Sequence, residues 1–511
     1  MKEITRLTAE LEKFYSELSL NYYRFGAGLQ DNLPLKEIYS KYSSLFQLDT
    51  IEMVRGQLAR AGDERPGFSG EQERRLTYLR GFLEDGFLSE QVKDLSEEIS
   101  SLEAGERVKI HGKEYSFRYT RVLLANEEDA GERRYIAGKR QDVVRKINPL
   151  REEQITRLQE LCKKLGFSSY IDAYRQINGF DFSYLAGQME QFLDDTEGLY
   201  YQIFSSLFQD RLGLDLTEGG QQCDFSYLFR APRFDEYFPG ERAVPALKET
   251  LKGMGFDLDS QKNITLDVEE RENKSPRAFC SAVKIPGEVY LVINPRGGQD
   301  DFHSLFHESG HAEHFGNVGQ MAPFEFKRFG DKSVTETYAF LQQYLLTDPH
   351  WLKSRLGLDE RVIAGYRQFA LANKLYMLRR YAAKYLYELK LHAPGGEPLQ
   401  DRSAYYAGYL TEALGAEHLA VNYLDDTDLG FYSAQYLRAW FFEVQLRQHL
   451  RQEAGEGWFE KKEAGEILHG LWSLGQKYTV DELAEKLGFP GVSTRPMVRE
   501  LEGGLLPDSA G

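Results

Sequence analysis

The sequence contains few cysteines, and their placement excludes two common uses of the residue. Only three occur in 511 residues, Cys162, Cys223 and Cys280, and no two of them form a C-x-x-C pair. An odd number of widely separated cysteines argues against a disulfide framework and against a zinc site built from thiolates. A reducing compartment therefore suits this chain.

Long apolar runs and an excess of positive charge are also missing. No stretch of about 18 apolar residues occurs, so we expect no membrane-spanning helix. The residues that follow Met1 predict an acidic amphipathic helix without the apolar segment of a secretory signal. The formal charge of −17 argues against electrostatic binding of nucleic acid or of an anionic membrane. We expect a cytoplasmic protein that binds neither.

Hydrophobic spacing predicts a mainly helical protein. Apolar residues recur at helical intervals over most of residues 4–212 and again from about residue 331 to residue 487. Residues 213–240 are irregular and rich in Gly, Asp and Pro, which is typical of a connection between lobes. We therefore expect an N-terminal helical lobe over residues 1–212 and a second lobe over residues 213–511, with segments that can interleave.

Strand-like segments are short and mostly lie in the second region, at Ile264–Val268, Ala278–Ile285 and Val289–Ile293. The last two are joined by Pro286-Gly287, a turn signal. They predict a small antiparallel sheet directly before a helix that begins near Asp300. A separate hairpin is predicted over Val108 to Thr120.

The helix after this sheet carries the strongest chemical signal in the chain. Residues His307 to His311 have the pattern H-E-x-x-H, in which two histidines four residues apart lie on one helix face. Both imidazoles can bind one metal ion, and Glu308 can take a proton from a metal-activated water. The alternative is a helix surface that happens to carry two histidines and an acid.

A catalytic zinc site needs a third protein ligand. The extended motif H-E-x-x-H-x-x-G-x-x-H would require glycine at 314 and histidine at 317, but these residues are His314 and Asn317. That class is excluded. His303 and His314 share the side of the helix that carries the motif, and we predict that both are packed rather than ligating.

A carboxylate on a second helix is the remaining route to a third ligand. Glu325 falls in a segment predicted to be a loop, and Asp331 falls at a predicted helix N-cap. Glu336 lies one turn into that helix, where its neighbours can pack on the first helix. We predict that His307, His311 and Glu336 bind one zinc ion per chain.

These residues resemble the thimet oligopeptidase and oligoendopeptidase F family of zinc peptidases. Glu336 follows the second histidine by 25 residues, as the family spacing requires. The segment Lys274 to Cys280, K-S-P-R-A-F-C, is similar to the family's G-K-x-x-G-x-[YF]-C strand. The segment Phe431 to Tyr436, F-Y-S-A-Q-Y, is similar to F-Y-x-Y-Q-Y. The resemblance covers residues 260–345, with weaker matches to residue 450.

The resemblance implies a mainly α, two-lobed, neurolysin-like architecture with a central channel and the small sheet beside the zinc helix. It implies hydrolysis of internal bonds in short peptides, with zinc as cofactor and Glu308 as general base. Residues 213–511 would form the catalytic lobe. The strand that contains Ala278 and Phe279 would bind the substrate, and donors from the C-terminal region would stabilise the oxyanion.

The sequence departs from the family pattern in that C-terminal region. The family tyrosine falls on Ala434 and the family histidine falls on Asp426. Nearby residues can replace them: His418, Tyr432 and Tyr436 as catalytic donors, and Tyr423 as a substrate contact. Simple packing of these aromatic residues is the alternative.

Two other functions remain open. A carboxypeptidase or dipeptidyl carboxypeptidase of similar fold would need a cationic anchor for the substrate carboxylate, and Arg438, Arg379 and Arg380 are candidates. A non-catalytic peptide-binding homologue would belong to a different functional class. Retention of the metal ligands and of Glu308 counts against it.

Overall fold

The computed structural model describes residues 2–62, 70–395 and 398–506, and these residues are mainly helical, as the hydrophobic spacing predicts. The helices in chain order are α1 Lys2–Gly26, α2 Leu35–Lys41, α3 Leu48–Gly62, α4 Gly70–Gln91, α5 Lys93–Gly105, α6 Thr120–Asn126, α7 Ala130–Lys164, α8 Tyr170–Asn178, α9 Phe182–Leu212, α10 Gln222–Arg230, α11 Gly240–Gly253, α12 Gln299–Gly316, α13 Phe324–Arg328, α14 Lys332–Gln343, α15 Pro349–Leu356, α16 Glu360–Leu391, α17 Ser403–Leu414, α18 Tyr432–Ala454, α19 Lys462–Trp472, α20 Val480–Lys486 and α21 Arg495–Leu505. None of these described helices is long and apolar enough to cross a bilayer.

Five strands in the described residues form two small sheets: β1 Arg107–Ile110, β2 Lys113–Ser116, β3 Ile264–Asp267, β4 Phe279–Lys284 and β5 Glu288–Val292. Strands β1 and β2 form the predicted hairpin. The other sheet has the order β3-β5-β4, with β4 antiparallel to β5 and β3 parallel to β5. The sheet is therefore mixed, and only its β4–β5 hairpin is antiparallel as predicted. Because β4 turns back at Pro286, β5 regains the direction of β3 and takes the place beside it.

The chain divides into two compact units. The first contains the described parts of residues 1–87, 232–367 and 438–496, and the second contains those of 88–231, 368–437 and 497–511. The units alternate along the sequence. The predicted lobes, residues 1–212 and 213–511 with segments that can interleave, stay predictions.

In the first unit, α12 packs against β4, β5 and α14. Its residues Phe302, Leu305 and Phe306 are fully buried. The crossing of α12 and α14 is close at Gly310, where an added Cβ would lie 2.4 Å from the carbonyl oxygen of Tyr338. Because no real Cβ tolerates such a contact, glycine at this position sets how near the two helices approach.

In the second unit, the β1–β2 hairpin covers one face of α7. The apolar side chains of this cluster include Val108, Ile110, Phe117, Ile136 and Val143. The i, i+7 spacing of the last two residues presents them on the same face of α7. Burial of these side chains stabilises the hairpin, which alone would be marginal in water.

Candidate metal centre

The start of α12 is fixed by its own acidic residues. Asp301 accepts hydrogen bonds through Oδ2 from the backbone N–H groups of Arg296, at 2.6 Å, and Gly297, at 2.8 Å. Asp300 and Asp301 also lie in the first turn, where negative charge is favourable. The helix thus continues from a well-anchored turn into the H-E-x-x-H motif.

The start of α14 is fixed by Asp331. Its side chain accepts from the N–H of Ser333 at 3.0 Å, which confirms the predicted N-cap. Arg438 Nη1, at 2.9 Å, and the N–H of Val480, at 3.1 Å, donate to the other carboxylate oxygen. Asp331 is therefore fully engaged as a structural residue, and Glu336 lies one turn further along the helix.

Glu325 is also a structural residue, and the prediction that it lies in a loop is wrong. It lies in the short helix α13 rather than in a loop, and its side chain is buried. Its oxygens accept from Arg75, at 3.1 Å and 3.2 Å, and from the hydroxyl of Thr8 at 3.2 Å.

His307, His311 and Glu336 converge. Oε2 of Glu336 lies 3.4 Å from Nε2 of His307 and 3.7 Å from Nε2 of His311. The potential ligand atoms of the three residues all lie within 4.8 Å of one another. Two imidazole nitrogens and one carboxylate oxygen form the ligand set of a catalytic zinc site, so these residues fit a bound zinc ion.

Hydrogen bonds orient the two imidazoles. Nδ1 of His307 lies 2.9 Å from Oε1 of Gln343, and Nδ1 of His311 lies 2.7 Å from the hydroxyl of Thr335. With each Nδ1 engaged, both Nε2 atoms are left to face Glu336, which is how metal-binding histidines are usually held.

The pKa values of the two histidines shift in opposite directions. Burial lowers the pKa of His307, but its hydrogen bond with Glu336 and the charge of Glu336 raise the pKa above its ordinary value. Burial lowers the pKa of His311 more than Glu336 raises it. Glu336 thus favours a positive charge beside it, whereas burial disfavours protonation of the two imidazoles. A metal cation bound by neutral imidazoles would supply the positive charge without protonating them.

Sequence reasoning missed Gln343 and Thr335. Gln343 follows Glu336 by seven residues, so both lie on one face of α14, and that spacing could have identified it. Thr335 precedes Glu336 directly, and no spacing rule singles out a neighbour of a ligand.

Glu308 is tied to the neighbouring sheet. Its Oε2 accepts a hydrogen bond of 2.8 Å from the backbone N–H of Cys280 on β4. Phe279 begins that strand opposite Val292, and Ala278 directly precedes it and is buried. The structure therefore brings the predicted base and the two predicted substrate-binding residues together. Burial raises the pKa of the Cys280 thiol well above its ordinary value.

His303 and His314 are packed, as predicted. Nε2 of His303 lies 2.9 Å from the hydroxyl of Tyr366. His314 is fully buried, with its ring centroid 4.9 Å from that of Tyr338. Burial lowers the pKa of His314 to about 3, so its imidazole is neutral.

The predicted oxyanion donors lie in the second unit. The rings of Tyr432 and Tyr436 contact each other at the start of α18, with centroids 4.9 Å apart. His418 is buried, and its Nδ1 lies 2.9 Å from the carbonyl oxygen of Ala416. Burial lowers the pKa of His418 to about 4. The catalytic roles of these three residues stay predictions.

Tyr423, the predicted substrate contact, also lies in the second unit. Its hydroxyl donates a hydrogen bond to the carboxylate of Glu152 on α7. Its role in substrate binding likewise stays a prediction.

Asp426, at the position of the family histidine, is an ion-pair residue in this chain. It pairs with Arg380, lies 3.7 Å from Nζ of Lys384 and accepts from the hydroxyl of Tyr406 at 3.0 Å. Lys384 also pairs with Asp428 at 2.9 Å. We call Arg380 and Lys384 on α16, together with Asp426 and Asp428 in the loop before α18, the ion-pair cluster.

The predicted carboxylate anchors are all engaged. Arg380 belongs to the ion-pair cluster, and Arg438 holds the start of α14. Arg379 donates to the carbonyl oxygens of Ala413, at 2.8 Å, and Leu193, at 2.6 Å.

No protein-family model and no curated protein sequence matches this chain. Solved structures do match it. A crystal structure of a protein provisionally designated oligoendopeptidase F aligns with a TM-score of 0.69 at 14% identity, over 99% of this chain and 91% of that chain. A structure of PZ peptidase A with an inhibitor aligns with a TM-score of 0.69 at 14% identity, over 97% of this chain and 90% of that chain. The likeness establishes the fold, and it confirms the mainly α fold class that the family resemblance implied. The two-lobed shape and the central channel stay predictions.

Proposed function

We propose that this chain is a zinc-dependent oligopeptidase that hydrolyses internal bonds of short peptides. The observation that carries the proposal is the convergence of His307, His311 and Glu336 beside Glu308, with both imidazoles oriented by hydrogen bonds. The names of the two solved structures, an oligoendopeptidase and a peptidase, support the same reaction class.

The proposed reaction uses the residues as follows. A zinc ion bound by the three ligands would lower the pKa of a water molecule and polarise the substrate carbonyl. Glu308 takes a proton from the attacking water and passes it to the leaving amine. The bond from Cys280 occupies Oε2 of Glu308 and leaves Oε1 to accept that proton.

Strand β4 is the proposed substrate-binding element. It is an edge strand of the three-stranded sheet, and its Cys280 is bonded to Glu308. An extended peptide that pairs with such an edge is held by main-chain hydrogen bonds, whatever its sequence. Ala278 and Phe279, at the start of the strand, would contact the peptide. The proposed contributors from the second unit remain His418, Tyr423, Tyr432 and Tyr436.

The engaged arginines favour an endopeptidase over an exopeptidase. Arg438 is buried and bound to Asp331 and Asp481, and Arg380 is bound to Asp426. A substrate carboxylate would have to displace these acids, which are held in place by the fold. Cleavage within a peptide needs no such anchor.

The proposal is tested by zinc content and by hydrolysis of a peptide blocked at both termini. We expect about one zinc per chain and cleavage of an internal bond. Glu308→Gln should retain zinc and lose about 10²–10⁴-fold in kcat because the proton acceptor is removed. Glu270→Gln, the same change at an exposed position, serves as the matched control. Unchanged hydrolysis in Glu308→Gln would refute the mechanism, and a stable zinc-free active enzyme would refute the metal centre.

A further inference from the structure

A cavity of about 520 Å³ lies within the second unit, and its lining includes no residue of the metal centre. Its wall is formed by α6, α7, α10, α16 and the loop before α18. Leu124, Val144, Met377 and Leu419 supply an apolar part of this wall. The volume is typical of sites that hold small organic molecules.

The acidic residues of the cavity already have partners. Asp426 and Asp428 belong to the ion-pair cluster. Asp425 pairs with Arg151 at 2.6 Å, and Glu417 accepts from the side-chain amide of Gln221 at 2.9 Å. Three of these four carboxylates are therefore paired with a cation, whereas Glu417, which is exposed, is bonded to a neutral amide.

Arg140 is a buried cation of the cavity whose hydrogen-bond partners are neutral. The residue is 9% exposed and lines the cavity. Its Nη1 donates to the carbonyl oxygen of Phe117 at 2.7 Å and to the hydroxyl of Thr120, and no carboxylate of the described residues forms an ion pair with it. Burial and the nearby charge of Arg121 lower the pKa of Arg140 to about 10.

Arg121 reinforces this positive charge. Its side chain is 70% exposed, lines the same cavity and reaches one acid among the described residues, Asp425, at 4.0 Å. Asp425 is already bound more closely by Arg151. Of the four carboxylates that line the cavity, Asp425 is thus the one that Arg121 reaches, and it has a nearer partner.

We propose that this cavity binds a small molecule that carries a carboxylate on an apolar body. The carboxylate would pair with Arg140 and Arg121, and the body would contact the apolar wall. A guanidinium group holds a carboxylate through two parallel hydrogen bonds, and a buried one that has only neutral partners gains most from such an ion pair. Acylated amino acids and short peptides with a free C-terminus belong to this class. The site requires no residue of the metal centre.

Calorimetric titration of the full-length protein tests the proposal. N-acetyl-leucine carries both required groups, N-acetyl-leucinamide lacks the carboxylate, and inorganic phosphate lacks the apolar body. We expect N-acetyl-leucine to bind at least about tenfold more tightly than the amide, since a hydrogen bond to a charged group contributes more than one between neutral groups. An amide that binds as tightly as the acid overturns the proposal, and so does phosphate that binds as tightly as N-acetyl-leucine.

Variants locate the binding. Arg140→Met should weaken N-acetyl-leucine about tenfold or more and Arg121→Ala about threefold, whereas Arg118→Ala, outside the cavity, should have no effect. Ser226→Trp, at an exposed wall position on α10, should block binding. Glu336→Gln should bind normally, which separates this site from the metal centre.

The variants remain decisive if Arg140→Met fails to fold, as its circular dichroism would reveal. Arg121 and Ser226 are exposed, so their variants keep the fold and still report on the cavity. Binding that is unchanged in both of them overturns the proposal.

Discussion

The metal centre of the first unit and the ion-pair cluster of the second unit are both partly buried groups of ionisable side chains. In the metal centre, Glu336 faces two imidazoles, whose positive charge depends on protonation. In the ion-pair cluster, Arg380 and Lys384 alternate with Asp426 and Asp428. The imidazoles of the metal centre can release their protons, whereas Arg380 and Lys384 of the ion-pair cluster stay positively charged.

The pKa values reflect this difference. Burial would raise the pKa of Asp426, but Arg380 and Lys384 lower it below its ordinary value, so its charge is fixed by permanent partners. Beside Glu336, a protonated His307 supplies positive charge, and a metal ion can take the place of that proton. A cluster that neutralises itself stabilises the fold, whereas a cluster that can exchange protons for a metal ion is suited to bind one.

The largest expected effect is on stability. Asp426→Asn should lower the free energy of unfolding by about 1.5–3 kcal/mol because it removes a charged hydrogen-bond acceptor from the partly buried Arg380. Glu336→Gln should cause a smaller loss in the zinc-free protein, since the imidazoles that face it can become neutral. Urea unfolding of both variants measures the contrast. Equal losses would show that the two clusters do not differ as described.

A smaller effect is expected on zinc affinity. Gln343→Leu removes the hydrogen bond that orients His307 and should weaken zinc binding about 10–100-fold, as measured by competition with a chelating dye. Gln320→Leu, outside the metal centre, is the matched control. Gln343→Glu should restore or strengthen binding, because a carboxylate makes the imidazole a more basic ligand. Unchanged zinc affinity in Gln343→Leu would show that Gln343 does not support zinc binding by His307.

The smallest effect is a change in pH dependence. Glu388, one turn beyond Lys384 on α16, is fully buried and accepts from Ser433 Oγ at 2.5 Å and from the N–H of Asp428 at 2.7 Å. Burial raises its pKa from 4.5 to about 8, although Lys384 lowers it. Between these pH values the native state holds a proton that the unfolded chain releases, so this residue makes stability fall as pH rises.

Glu388→Gln should therefore flatten the fall in stability between pH 5 and pH 8. Urea midpoints at three pH values in that interval measure the slope. Glu360→Gln, the same change at an exposed position on the same helix, is the matched control and should leave the slope unchanged. An equal slope in wild type and Glu388→Gln would exclude Glu388 as the source.

Local features were predictable from the sequence, and contacts between distant segments were not. Helical spacing placed His307 and His311 on one face, and the cap rule identified Asp331 as the start of α14. The position of β5 between β3 and β4 was not predictable, because strand order depends on contacts that no local pattern encodes. Glu325 is a second case in which a distant contact was not predictable. The composition of the segment around it favoured a loop, whereas the residue lies in a short helix and its buried side chain is bonded to Arg75.

The candidate site shows which of its contacts a sequence motif predicts and which it does not. The ligands follow from residue types and spacing, but the hydrogen bond from Cys280 to Glu308 joins a strand to a helix through a backbone N–H, which any residue type except proline supplies. The engagement of Asp426 was likewise hidden, because its partners Arg380 and Lys384 precede it by more than 40 residues. Sequence identified the groups, and only the fold identified their partners.

The anchoring of Asp331 by Arg438 has a consequence for biosynthesis. The two residues are 107 positions apart, and Arg438 is made second. At a translation rate of roughly 5–20 residues per second, the ribosome adds Arg438 about 5–20 seconds after Asp331. Once Glu336 has been added, five residues after Asp331, a nascent chain carries all three metal ligands but lacks the arginine that secures the start of α14. The cell therefore produces the metal ligands before it produces the residue that completes their support.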